Sequence, residues 1–194
     1  MELILKDLRA TILIGLLLAA LLVFALASID GYEFQAFFVW LVRWIHVISG
    51  IMWVGLLYYF NFVQIPSMGS IPDEQKPAIG KVIAPKALWW FRWSAMTTIV
   101  AGLLLAYLNG YLYEAITLQE GVWGIGLGMW IGTIMWFNVW FVIWPNQKKA
   151  LGVIQVEPDE KASSARIAML VSRTNTILSI PMLIAMTYQQ NPFF

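Results

Sequence analysis

Five stretches of this chain are each apolar over the length of a bilayer crossing, roughly 8–28, 36–64, 87–108, 122–144 and 164–188. A membrane-spanning helix needs about 20 such residues. Within lipid every backbone N–H and C=O must be satisfied internally, which a helix does within its own segment. The expected fold is therefore an all-α integral membrane protein of five transmembrane helices, forming one membrane domain over residues 1–194. Composition points the same way: 60% of residues are hydrophobic and only 12% charged, against about 25% charged in a soluble domain. The chain has no Cys, which excludes a disulfide framework, a thiolate metal site and a haem attached through C-x-x-C-H. A net charge of +1 is no footprint for nucleic acid. The first apolar run, Ala10 to Ala27, exceeds the ~7–15 residues of a secretory signal core, so it is expected to be a retained helix.

Basic residues orient the spans. Lys6 and Arg9 precede the first; Lys76, Lys81 and Lys86, with Arg92 just inside the third, and Lys148, Lys149 and Lys161, followed by Arg166, fill the two long connections. The opposite connections hold Asp30, Glu33, Glu114 and Glu120 without Lys or Arg, and the tail after Tyr188 is uncharged. The expected N-terminus is cytoplasmic and the C-terminus external. Each long connection is punctuated by prolines, among them Pro66, Pro85 and Pro145, and neither resembles a separate domain. A short interfacial helix over 147–156 is one possibility for the second. Trp89, Trp90, Trp93, Trp123, Trp140 and Trp144 lie near span ends, where indole rings favour the headgroup layer.

Ionisable groups at membrane depth are costly and usually face a cavity or a partner. At ~100° per residue, Arg43, His46, Gly50, Trp53, Leu57, Asn61 and Gln64 fall within about 80° of one another on span two. His46 is the single histidine of the chain. A neutral imidazole at that depth can ligate haem iron, relay a proton or bond a neighbouring helix. Gly50, one turn on, either clears room for a flat macrocycle or lets another helix approach. Arg43 is placed to pair with a propionate or to snorkel to the surface. Arg92 and Arg173, with Asn61, Asn138 and Asn175, form either a cationic pocket for an anion or propionates, or simple anchoring with inter-helix hydrogen bonds. No intramembrane Asp or Glu stands opposite the arginines.

Span two carries Ile51-Met52-Trp53, Phe60-Asn61 and Pro66; span four carries Ile134-Met135-Trp136, Phe137-Asn138 and Pro145. Arg92 precedes Tyr107, and Arg173 precedes Tyr188, by the same separation. These echoes suggest a duplicated pair of helical hairpins, with span one as an addition. Aligning Trp53 with Trp136 sets Met129 opposite His46, and His/Met is a known axial pair for haem. A single His leaves a five-coordinate haem or a ligand from a second subunit as alternatives. Gly124, Gly128 and Gly132 at four-residue intervals favour close helix packing, and Pro181 is expected to bend span five.

The run from Arg43 through His46, Gly50, Trp53 and Gly55 to Asn61 resembles the N-terminal integral membrane domain of bacterial membrane-bound urate hydroxylases, the urate oxidase N-terminal family. Trp136-Phe137-Asn138-Val139-Trp140, Trp144 to Lys149, and Ser172 to Thr176 resemble later blocks of that family, so the likeness covers roughly 36–190. The His46, Trp53, Gly55 element is also similar to haem-binding membrane protoporphyrinogen oxidases and copper-resistance membrane proteins. The resemblance implies a multi-pass protein of the bacterial inner (cytoplasmic) membrane, an oxidoreductase handing electrons to a cytochrome c. Because these 194 residues contain no Cys, that cytochrome is expected to be a separate protein. On this expectation His46 is the axial metal ligand of a haem b, with Met129, Arg43, Gly50, Trp53, Arg92 and Arg173 around the cofactor. The lipid bilayer, a separate cytochrome c or larger membrane complex, and a second copy of the chain are the partners implied. The competing expectation is a non-catalytic transmembrane subunit of a respiratory or photosynthetic complex; a permease fits less well, because no intramembrane carboxylate lines a path.

Overall fold

The computed structural model describes residues 5–188, and every regular element among them is helical. Its five long helices are α1 (Leu8–Asp30), α2 (Phe34–Ser67), α3 (Lys76–Leu108), α5 (Trp123–Ala150) and α6 (Pro158–Tyr188), each long and apolar enough to cross a membrane. A short helix, α4 (Leu112–Ile116), lies between α3 and α5. All five expected spans are present. The uncharged tail after Tyr188 lies outside the described residues. By backbone proximity the chain divides into two units, Met1–Trp40 and Leu41–Phe194.

The first unit is α1 and the opening turns of α2. Asp7 caps α1, its carboxylate accepting the Arg9 N–H at 2.9 Å. Gly31, at φ +86°, ends the helix in a conformation that L side chains rarely adopt. Glu33 then accepts the backbone N–H groups of Gln35 and Ala36, so one of the acids that weigh in the charge asymmetry also starts α2. No side chain of α1 is buried, as expected of a helix apolar all round and solvated by lipid.

In the second unit, three long helices run further than their apolar stretches because each carries a widened turn beside a proline. The backbone is π-helical over Tyr59–Gln64, Ile79–Ile83 and Asn138–Ile143. Each segment ends two residues before a proline, namely Pro66, Pro85 and Pro145. Proline has no N–H and its ring crowds the carbonyl four residues back. An i→i+5 turn widens the backbone there and lets the helix continue. The apolar count alone ends α2 at residue 64 and starts α3 at 87, whereas the helices include these turns. Beyond Pro145, α5 continues through Ala150 and then turns at Gly152, φ +76°, in place of a separate helix over 147–156. Helix α6 runs through Pro181, which is exposed.

The core of this unit comprises Trp53, Leu57 and Phe60 of α2, Leu88, Phe91 and Ala95 of α3, Met135, Val139 and Ile143 of α5, and Ala168 and Met182 of α6. Phe60 and Phe91 meet edge to face, with centroids 5.6 Å apart, the arrangement ring quadrupoles prefer. The tightest backbone approach is at Gly126, where a Cβ would stand 2.1 Å from the Ala115 carbonyl oxygen of α4. Gly126 lies outside the four-residue glycine stripe. Of that stripe, Gly128 faces Ala185 and Met186 of α6, so this small-residue surface is used inside the chain.

Candidate functional site

Span two presents its polar stripe to two different helices. Near the start of the second unit, His46 Nδ1 lies 2.8 Å from the backbone oxygen of Thr98 on α3. A carbonyl oxygen only accepts, so Nδ1 carries the proton and Nε2 keeps its lone pair. No described residue hydrogen-bonds Nε2. The imidazole reaches the Thr98 carbonyl because residue 102 is glycine. A Cβ there would stand 2.8 Å from His46 Cε1 and 3.0 Å from Nδ1. One turn along α2, Ser49 Oγ donates to the Ile45 carbonyl at 2.7 Å and lies 3.0 Å from Thr98 Oγ1. Gly50 faces the Thr98 methyl at 3.8 Å, so the room it leaves is occupied by α3. Trp53 is 2% exposed and sits in the core, its Nε1 without a partner among the described residues.

Arg43, three residues before His46, is exposed. Its charge reaches Tyr111 in the α3–α4 turn, where burial pushes the phenol above its ordinary value and Arg43 partly offsets the rise. Met129 on α5 is half-buried, with its carbonyl accepting Thr133 Oγ1 at 2.8 Å. The π turns and their prolines supply an internal register of their own. Aligning Pro66 with Pro145 sets Met129 opposite Gly50 and Ile125 opposite His46, one helical turn from the register that the two tryptophans give.

The two arginines of the inner candidate set occupy different environments. Arg92 is 8% exposed, its guanidinium carbon 3.4 Å from the centroid of the Trp144 ring. Arg173 lies on the exposed surface of α6, as does Arg166. By helical rise, Arg92 is about 15 Å along α3 from Gly102, so its charge is offered well away from the imidazole. The asparagines act as clamps between helices. Asn61 Nδ2 donates to Ser172 Oγ at 2.8 Å, Asn138 Nδ2 to Asn175 Oδ1 at 2.8 Å, and fully buried Asn175 to the Met135 carbonyl at 2.9 Å. Beside them lies a cavity of about 170 Å³ lined by Phe60, Gln64, Phe91, Gln147 and Ser172, among others. Gln64 Oε1 and Gln147 Oε1 are buried without a hydrogen-bond donor among the described residues.

Residues 119–194 match the urate oxidase N-terminal family. That is the family the sequence resembles, and the match holds the Trp136–Trp140, Trp144–Lys149 and Ser172–Thr176 blocks. His46 and the run to Asn61 precede the matched stretch. No curated protein and no solved structure matches the chain.

The Gly102 contact makes a prediction of its own. Gly102→Ala is expected to push the imidazole off the Thr98 carbonyl, at a cost of about 1 kcal/mol for the lost bond. In protein carrying ¹⁵N-labelled histidine, the ring nitrogens should change from a fixed Nδ1–H tautomer to a mixture. An unchanged pair of shifts would mean that the Thr98 bond does not set the tautomer.

Proposed function

We propose that the chain is a membrane redox protein of the urate oxidase N-terminal type, holding haem b through His46 Nε2 and passing electrons to a separate cytochrome c. The observation that carries the proposal is the imidazole itself, whose Nδ1–H is committed to the Thr98 carbonyl while Nε2 has no partner among the described residues. Metal-ligating histidines characteristically donate their other N–H to a carbonyl or carboxylate, which fixes the tautomer and the ring plane. The residues present therefore fit an axial ligand. A haem bound there would supply one-electron chemistry. Thr98 and Gly102 orient the ring, Ser49 and Trp53 follow one and two turns along α2, and Arg43 is the nearest basic residue in sequence for a propionate. Met129 would be a second haem ligand within the chain only in the register that Trp53 and Trp136 give. Arg92, about 15 Å along α3 from Gly102, and Arg173 would offer positive charge at a distance from the imidazole. Gln64 Oε1 and Gln147 Oε1 are placed to accept N–H groups of a small polar substrate in the cavity between them.

The same proposal includes a cytoplasmic N-terminus in a bacterial inner membrane, supported by Lys and Arg gathered at one end of the helices. It also includes an ancestral hairpin duplication, supported by the paired π turns before Pro66 and Pro145. An accessory subunit would need a free packing face such as the Gly124, Gly128 and Gly132 stripe, but Gly128 faces Ala185 and Met186 of α6 in the same chain. The test is consumption of uric acid by the purified, haem-replete protein with oxidised cytochrome c as acceptor. Turnover with reduction of the cytochrome is expected. A coloured protein that leaves urate untouched would limit the kinship to architecture and cofactor.

A further inference from the structure

Among the described residues Arg92 is the one charged side chain that is buried. It is buried at 8% exposure in a span-forming helix, yet no carboxylate lies within ion-pair distance among the described residues. No hydrogen bond from its guanidinium is present among them either. Its one visible compensation is the face of Trp144, 3.4 Å from the guanidinium carbon. An aromatic face offsets only part of the cost of a desolvated cation. Isolating such a charge costs more than that face returns. The balance calls for an anion.

A second cation is already at the same ring. Lys148 Nζ lies 5.6 Å from the Trp144 centroid, one helical turn along α5, so two positive charges lie against one indole. Of the acids that follow in the chain, Glu157, Asp159 and Glu160, Glu160 accepts Lys149 Nζ at 2.7 Å and none is within ion-pair distance of Arg92 or Lys148 among the described residues. Neither Arg92, Trp144 nor Lys148 lines the cavity between Gln64 and Gln147, though their sequence neighbours Phe91 and Gln147 do, so this place adjoins that cavity without being part of its wall. The group that suits it is tetrahedral, doubly accepting and anionic. A guanidinium offers two parallel N–H donors to one pair of phosphate oxygens, and a lysine satisfies a third as a point charge. Basic pockets between membrane helices at the headgroup level bind phosphate in this manner.

We infer that Arg92 and Lys148 together hold a phosphate group beside Trp144. The phosphate belongs either to an anionic lipid of the adjoining leaflet or to a soluble phosphate. The full chain, purified in a neutral detergent, is titrated with phosphatidylglycerol, with phosphatidylcholine and with inorganic phosphate, and bound ligand is measured by native mass spectrometry and calorimetry. One saturable phosphatidylglycerol per chain is expected, weakened about tenfold in Lys148→Gln through loss of one charged contact. Lys148 is only partly buried, so this variant is expected to fold, and Arg92→Lys provides the second, stronger perturbation. Tight phosphatidylglycerol with no inorganic phosphate assigns the site to a lipid; inorganic phosphate with the same Lys148 dependence assigns it to a soluble ligand. Absence of both, binding indifferent to Lys148→Gln, or displacement by equimolar uric acid would overturn the inference.

Discussion

Haem absorption is expected to vanish from purified His46→Ala protein while the helical content stays unchanged. The chain has one histidine, so no neighbouring imidazole can substitute, and the ring is only half-buried. Its loss removes one hydrogen bond to Thr98, worth about 1 kcal/mol, and leaves the Trp53–Phe60–Phe91 core in place. The variant is therefore expected to remain folded and colourless, where the parent shows a Soret band when isolated from haem-replete cells. Met129→Leu separates the second ligand from the first. A shifted band in that variant supports an axial thioether within the chain, and an unshifted one places the sixth ligand elsewhere. A parent protein that is folded but colourless would favour the accessory-subunit alternative.

The largest effect on stability is expected from Gly126→Ala. The added methyl carbon would stand 2.1 Å from the Ala115 carbonyl oxygen and 2.9 Å from Leu118 Cδ2. Flexible side chains can step aside from such a contact, but a backbone oxygen moves only with its helix. Overpacking costs about 1–3 kcal/mol in ordinary cores, and the upper end applies where backbone must shift. Denaturant unfolding followed by circular dichroism should show a clearly lowered midpoint. The same substitution at Gly55, where a Cβ meets nothing within 4 Å, should leave it unchanged. Equal midpoints for the two variants would refute the close approach of α4 to α5.

The helices and the membrane setting are legible in the sequence because both follow from composition over windows of twenty residues. His46 is legible too, since a lone ionisable group in an apolar run stands out without any partner being known. Its surroundings are not. The residue that admits the imidazole is Gly102, one of 14 glycines, and nothing in the α3 pattern distinguishes it. The accepting atom is a backbone carbonyl, which carries no sequence signal at all. Gly50 attracts attention by lying one turn from His46, yet it packs on the Thr98 methyl. Arg92 and Arg173 form a matched pair in the sequence, separated from Tyr107 and Tyr188 by equal intervals. Burial distinguishes them: one is covered by Trp144 and the other is exposed. The Gly124–Gly132 stripe correctly marks a packing face, but the closest contact falls at Gly126, off the stripe. There the neighbour is the short α4, whose position no periodicity reports.

The widened turns before Pro66, Pro85 and Pro145 bear on how this chain can change in length. A π turn holds one residue more than an α turn while leaving the helix on either side in phase. Deleting one residue from an ordinary α segment instead rotates everything beyond it by about 100° and carries core side chains out to lipid. Three of the four long helices that continue past Trp40 therefore contain a point of slack, where a single-codon loss shortens the helix without turning its buried face. Insertions and deletions in relatives should accumulate at these points, and the polar clamps of Asn61, Asn138 and Asn175 should keep their facing across such length variants.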